Sequence, residues 1–148
     1  NVFAPTAPKE FGGHGFNHVA QAVILEESGR SLLGPTALNC AAPDEGNILL
    51  LNKIATPDQR AKYLAPLSKG EIRSSFSMTE PSPGAGADPN LLSTTAEKTG
   101  NGWVINGNKW LITGADGAGF SIVMAKTSGG ATMFLVDAEN PGMKVVRA

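Results

Sequence analysis

Two stretches of this 148-residue chain contain residue types that could do chemistry. One is "FSMTEPSPGAGAD" at 76–88 and the other is "KWLITGADGAG" at 109–119. In each, an expected strand finishes on threonine, Thr79 after Ser77-Met78 and Thr113 after Leu111-Ile112, and then drops into a Pro- or Gly-rich loop. Hydroxyls and backbone N–H groups at such ends can meet the polar edge of a flat ring, with apolar neighbours against its face. Spacing alone is equally satisfied by threonines that simply border turns. Glu80 and Asp88 could form a carboxylate pair for acid/base work, although two acids beside a loop more often serve as solvated or structural groups. Three glycine clusters, "FGGHG" at 11–15, "GAGAD" at 84–88 and "GADGAG" at 114–119, lack the spacing of a dinucleotide or Walker loop. Turns that need positive φ account for each of them. No Ser/His/Asp or Cys/His set is evident. His14 and His18, four apart, could share a helical face, but no acidic partner completes a metal site, and no metal is expected. Cys40, the single cysteine, sits among small apolar neighbours in "ALNCAAP" and reads as a packed core residue.

The elements that must position these residues fall into two halves with different periods. In the first, Phe16, Val19, Ala20, Val23 and Ile24 form an apolar helical stripe, and Gly34-Pro35 ends the pattern. A second helix is expected through "TALNCAA", stopped by Pro43. A third follows, with Asp44 as its cap and Ile48, Leu51 and Ile54 as its buried edge. The clearest helix start is "TPDQ", where Thr56 caps, Pro57 takes the first helical position and Gln59 completes a capping box; Pro66 should close this helix.

Beyond "SKGEIRS" the period changes to 2. Ile72, Ser74, Phe76 and Met78 should line one face of a strand. "GWVINGNKWLITG" reads as a hairpin about Asn106-Gly107, with Trp110 and Ile112 on one face and Leu111 and Thr113 on the other. "FSIVMAKT" and "ATMFLVD" form a further strand pair around Ser128-Gly129-Gly130, and "GMKVVRA" begins another strand. The expected fold is therefore α+β: part of a helical bundle over 1–71, then an antiparallel β-barrel or sheet over 72–148. Abrupt ends read as truncation on both sides.

A formal net charge of −1 gives no reason to expect nucleic acid or an anionic membrane as partner. The longest apolar patch, "ILLL" at 48–51, is far short of the ~18 residues of a membrane span. The opening "NVFAPTAPKEFGG" has neither region of a signal peptide. One cysteine excludes an intrachain disulfide and fits a reducing compartment. The expected localisation is intracellular, with cytoplasm, mitochondrion and peroxisome not distinguished.

Taken in order, "FSMTEP…GAD" and "GWVINGNKWLITG" closely resemble the middle domain of the acyl-CoA dehydrogenase family, flavoenzymes that desaturate acyl-CoA thioesters at Cα–Cβ. "PKEFGGHG", "EESGRS", "APDEGN" and "TPDQRAKYLAPLSKGEIRS" are similar to the later helices of its N-terminal domain. The resemblance implies FAD as cofactor, acyl-CoA as substrate, an electron-transfer acceptor and a homo-oligomeric full-length protein. It implies that the strand end Phe76, Ser77, Met78 and Thr79 is cofactor-binding, with Met78 and Thr79 bonding the pyrimidine side of the flavin. It further implies that Thr113 faces flavin N5 and O4 and that Leu111 and Ile112 complete the wall. Glu80 and Pro81 would form the turn that aims the loop.

Three departures stand out. Ala87 occupies the place of a serine that touches cofactor and thioester, so it is the one candidate for substrate contact. The loop from Pro81 to Asp88 is about two residues longer than the commonest form. Leu111 stands where many members have tryptophan, with Trp110 one earlier. These changes point to a divergent branch, such as the longer fused members. The family's catalytic glutamate belongs to a C-terminal helical domain with no counterpart here, so no catalytic residue is assigned. Related oxidases and hydroxylases of the same fold, and a non-catalytic module with a vestigial flavin site, stay open as alternatives.

Overall fold

A computed structural model describes residues 2–84 and 86–146. The chain divides into two compact units, Asn1–Ser74 and Ser75–Ala148.

The first unit is helical. α1 (His18–Ser28) starts where the Asn17 side chain accepts the N–H of Ala20 at 2.9 Å. His14 precedes that helix and stacks on Phe16, so it shares no helical face with His18. α1 stops at Gly29, earlier than the apolar pattern suggests. Its expected stripe is not packed: Val19 and Val23 are 74% and 56% exposed. α2 (Gly34–Ala37) is one turn long and contains Pro35 near its start, where a proline ring fits. It stops at Ala37, just before "NCAA", where Asn39 turns left-handed at φ 51° and its side-chain amide donates to the carbonyls of Leu67 and Ser68. Cys40 is buried beside Ser28, as a packed residue should be.

α3 (Asp44–Ile54) buries Ile48 and Leu51, but Ile54 is 56% exposed. Asp44 does not cap its own helix. Its buried carboxylate accepts the Ser74 N–H at 2.8 Å and the Ser74 hydroxyl at 2.6 Å, and pairs with Arg73. α4 (Pro57–Gln59) carries the expected capping box, with Thr56 and Gln59 bonding each other's backbone. Pro66 does not close the helix. A wide turn over Arg60–Leu64 has Ala65 N–H reach back five residues to Arg60, and α5 (Ala65–Ser68) continues past the proline. The register changes just before the residue that cannot donate, which gives its ring room. Ile48, Leu51, Tyr63, Leu64 and Leu67 are the larger side chains of this unit's core.

The second unit is a five-stranded sheet: β1 (Ser74–Ser77), β2 (Thr95–Thr99), β3 (Gly102–Asn106), β4 (Phe120–Thr127) and β5 (Gly130–Asp137). The order is β1-β4-β2-β3, with β5 also on β4. Pairing is antiparallel for β2–β3 and β4–β5, and a single parallel bridge, Thr95 to Lys126, joins β2 to β4. The β4–β5 hairpin turns at Ser128-Gly129 as expected, with Gly130 at φ 110°. Leu92, Ala96, Ala118, Phe120, Ile122 and Ala125 are buried apolar residues of the second unit.

The other expected hairpin is not formed. β3 pairs backward with β2, Ala96 opposite Ile105 and Lys98 opposite Trp103, through a turn at Gly100-Asn101. Residues 107–113 leave the sheet, so the alternation expected for Trp110 to Thr113 does not exist. On β1 the packed residues are Ser74, Ser75 and Ser77, while Phe76 is half-buried. Residues 141–146 form no strand, and the last two residues of "GMKVVRA" lie outside the described region.

Candidate functional site

Both stretches singled out by residue type lie in the second unit, and direct bonds join them. Beyond Ser77 the chain leaves β1 as Met78-Thr79-Glu80. The Trp110 N–H donates to the Thr79 carbonyl at 3.1 Å. The Lys109 ammonium donates to the Met78 carbonyl at 3.0 Å and to Glu80 Oε1 at 2.7 Å. The 78–80 and 109–113 segments are thus held side by side by backbone and by charge.

Glu80 is the centre of this joint. Its side chain has no solvent exposure and that of Lys109 has 11%. Glu80 Oε2 accepts the N–H and the hydroxyl of Ser93, both at 2.6 Å, and Oε1 also accepts the Thr94 N–H at 3.0 Å. Burial by itself would raise the carboxyl's pKa. The Lys109 ammonium and the donors of Ser93 and Thr94 outweigh it and hold the group far below the usual carboxylate range. Such an acid stays ionised at neutral pH and serves here as a buried anchor. Asp88 is exposed and accepts the N–H of Asn90 at 2.9 Å, capping a short turn over Pro89–Leu91. The two carboxylates do different structural work and form no acid/base pair.

Two glycines permit the close packing here. A Cβ on Gly84 would lie 2.4 Å from Glu80 Oε2, and one on Gly107 would lie 2.2 Å from Thr94 Oγ1. The Glu80 N–H donates to the Gly86 carbonyl, which folds the 81–86 loop back on itself.

The candidate residues occupy distinct settings around this joint. Met78, Thr79 and Ile112 are half-buried, Thr113 and Ala87 are exposed, and Leu111 is 81% exposed. Leu111 has φ 54°, a left-handed conformation uncommon for a branched side chain. Phe76 is half-buried on β1. Ser77 is buried and its hydroxyl shares a 2.5 Å hydrogen bond with Ser121, so that hydroxyl is committed inside the sheet. Among the described residues, the hydroxyls of Thr79 and Thr113 and the N–H groups of Leu111, Ile112 and Thr113 have no partner. A polar ring edge needs such uncommitted donors, and Met78 and Ile112 beside them supply apolar surface. These residues fit a flavin.

Lys109 is the site residue that sequence reading passed over. Its one signal is Glu80 itself, since an acid placed at the end of a buried strand requires a cation.

Comparison with known proteins gives the family of the chain. Residues 1–71 match the family model "Acyl-CoA dehydrogenase, N-terminal domain" and residues 75–148 match "Acyl-CoA dehydrogenase, middle domain". The Mycobacterium tuberculosis protein "Probable acyl-CoA dehydrogenase FadE2" is 41% identical over 143 residues, covering 90% of this chain and 35% of that protein. A solved structure from Mycobacterium abscessus, described as "a putative acyl-CoA dehydrogenase", superposes with a TM-score of 0.90 at 35% identity, over 99% of this chain and 38% of that one. A glutaryl-CoA dehydrogenase from Mycobacterium smegmatis in complex with FADH2 shares the fold, with a TM-score of 0.76 at 24% identity, over 95% of this chain and 36% of that one. The chain therefore spans a little over a third of the length of these proteins. It belongs to the acyl-CoA dehydrogenase family.

Proposed function

We propose that this chain forms one wall of the flavin site of an FAD-dependent acyl-CoA dehydrogenase acting at Cα–Cβ of an acyl-CoA thioester. The observation that carries the reading is the joint between 78–80 and 109–113, which places two uncommitted threonine hydroxyls on adjoining loops. Thr79 and the Met78 backbone would hold the pyrimidine edge. Thr113, with the free N–H groups of 111–113, would face the N5–O4 edge, and Ile112 and Leu111 would lie along the ring.

When bound, FAD would supply the redox chemistry, as the acceptor for a hydride of the acyl β-carbon. The residues of this chain orient the ring and place donors where negative charge develops. The α-proton would be removed by a base outside these 148 residues. Acyl-CoA is the substrate class, an electron-transfer acceptor the partner, and a homo-oligomer the expected assembly of the full-length protein. Ala87, exposed at the loop tip, would offer the thioester a methyl where a hydroxyl is usual.

The test uses the full-length protein. Thr79→Ala should weaken FAD retention, and Thr113→Val should slow bleaching of the flavin absorbance by acyl-CoA under anaerobic conditions. Wild-type occupancy and rate in both variants would remove the site assignment. Rapid reoxidation of the reduced flavin by oxygen would instead favour an oxidase.

A further inference from the structure

Lys109 is largely buried against Glu80, and its two hydrogen bonds end on the two residues that flank Thr79 in sequence. One goes to the Met78 carbonyl at 3.0 Å and the other to Glu80 Oε1 at 2.7 Å. Lys109 also opens the segment whose next residue donates its N–H to Thr79 and whose following three N–H groups have no partner among the described residues. Glu80 in turn is fixed by three donors from Ser93 and Thr94. The pair is therefore anchored on one side to the start of β2 and grips both loops on the other. A simple core ion pair has no need to bond a carbonyl of the loop it flanks.

We propose that Lys109, held by Glu80, is a positioning residue for the flavin wall: it sets the spacing between the Thr79 and Thr113 loops and so the fit of the ring between their donors. The inference rests on the flavin reading above and adds to it a residue that touches neither flavin nor substrate. A ring held by donors on two loops tolerates little error in their separation, because misplacement of about 1 Å weakens every bond at once. Among the described residues, only Lys109 and the Trp110 N–H bond the 109–113 segment to 78–80. The Trp110–Thr79 bond fixes one point, and without a second the 110–113 segment can pivot about it.

The experiment compares the full-length wild type with Lys109→Met and with the double variant Glu80→Gln/Lys109→Met. The double variant removes both charges together, so neither is left buried without its counter-charge, and it keeps the test open if the single variant does not fold. Two measurements are made: amide hydrogen exchange of residues 109–113 in the flavin-free protein, and the FAD dissociation constant by fluorescence quenching. The proposal expects faster exchange at 110–113 in the variants and FAD binding about tenfold weaker, the low end of what losing a supporting partner costs a site. Unchanged exchange in the double variant overturns the positioning role. Faster exchange with an unchanged FAD dissociation constant overturns the link to the flavin. If wild type binds no FAD at all, the flavin reading fails and takes this inference with it, an outcome distinct from both others.

Discussion

Replacing Glu80 with glutamine keeps the shape of a buried side chain while removing its charge and one of its two acceptor oxygens. In the native protein Oε1 receives Lys109 Nζ and the Thr94 N–H, and Oε2 receives the N–H and hydroxyl of Ser93. A glutamine amide has one oxygen, so whichever way it turns, one of these donor pairs faces an NH₂ group. At least two charge-assisted hydrogen bonds are lost, at roughly 1.5–3 kcal/mol each. Lys109, 11% exposed, is left without its counter-charge. Breaking a buried pair in this way costs about 3–5 kcal/mol, a large part of the stability of an ordinary domain. Urea titration read by tryptophan emission is a suitable assay, because Trp103 and Trp110 both lie in the second unit. Glu80→Gln should shift the midpoint strongly at an unchanged slope. The carboxyl's pKa is depressed from 4.5 in the folded protein, so its contribution is complete above that value and is lost as pH falls towards the folded one. The gap between wild type and Glu80→Gln should accordingly be constant from pH 6 to 8, about 1.5 units or more above that value, and narrow below it. A loss under about 1 kcal/mol at pH 7, the worth of one ordinary hydrogen bond, or a gap that widens in acid, would refute the account of Glu80 as an ionised, buried joint.

Three further outcomes follow from the same geometry. Asp44→Ala removes the acceptor for the Ser74 N–H and hydroxyl and the partner of Arg73, and should cost about 3 kcal/mol in urea titration. Gly107→Ala would drive a methyl against the side chain and Cα of Thr94 and should destabilise the second unit by about 1–3 kcal/mol, while Gly46→Ala, where a Cβ meets nothing, should not. Thr56→Ala breaks a complete capping box and should cost about 1 kcal/mol, seen as faster amide exchange in the first turn of α4.

Local signals in the sequence were reliable where local physics decides. The capping box at Thr56 and Gln59 forms because both bonds close within four residues. The turn at Ser128-Gly129 forms because two alternating strands flank it. Reading fails where a distant partner intervenes. Asn106-Gly107 has the chemistry of a hairpin turn, yet β3 already has β2 as its partner, and the Trp110 N–H is taken by Thr79, 31 residues earlier. Asp44 looks like a helix cap, but Ser74 and Arg73 claim its carboxylate. Val19 and Val23 have helical spacing, but spacing reports a face and not what covers it, and both stay exposed.

By itself the sequence determined the class of chain: helices first, then strands, with Thr79 and Thr113 each placed just before a Pro- or Gly-rich loop. Periodicity and turn residues act over a few positions, so one chain is enough to read them. Only the tertiary structure decided that the two threonine loops lie side by side, that Glu80 is a buried anchor and not an acid, and that Lys109 joins them. Those facts depend on contacts about 30 residues apart, and a buried carboxylate is either costly or cohesive according to a partner that spacing cannot reveal.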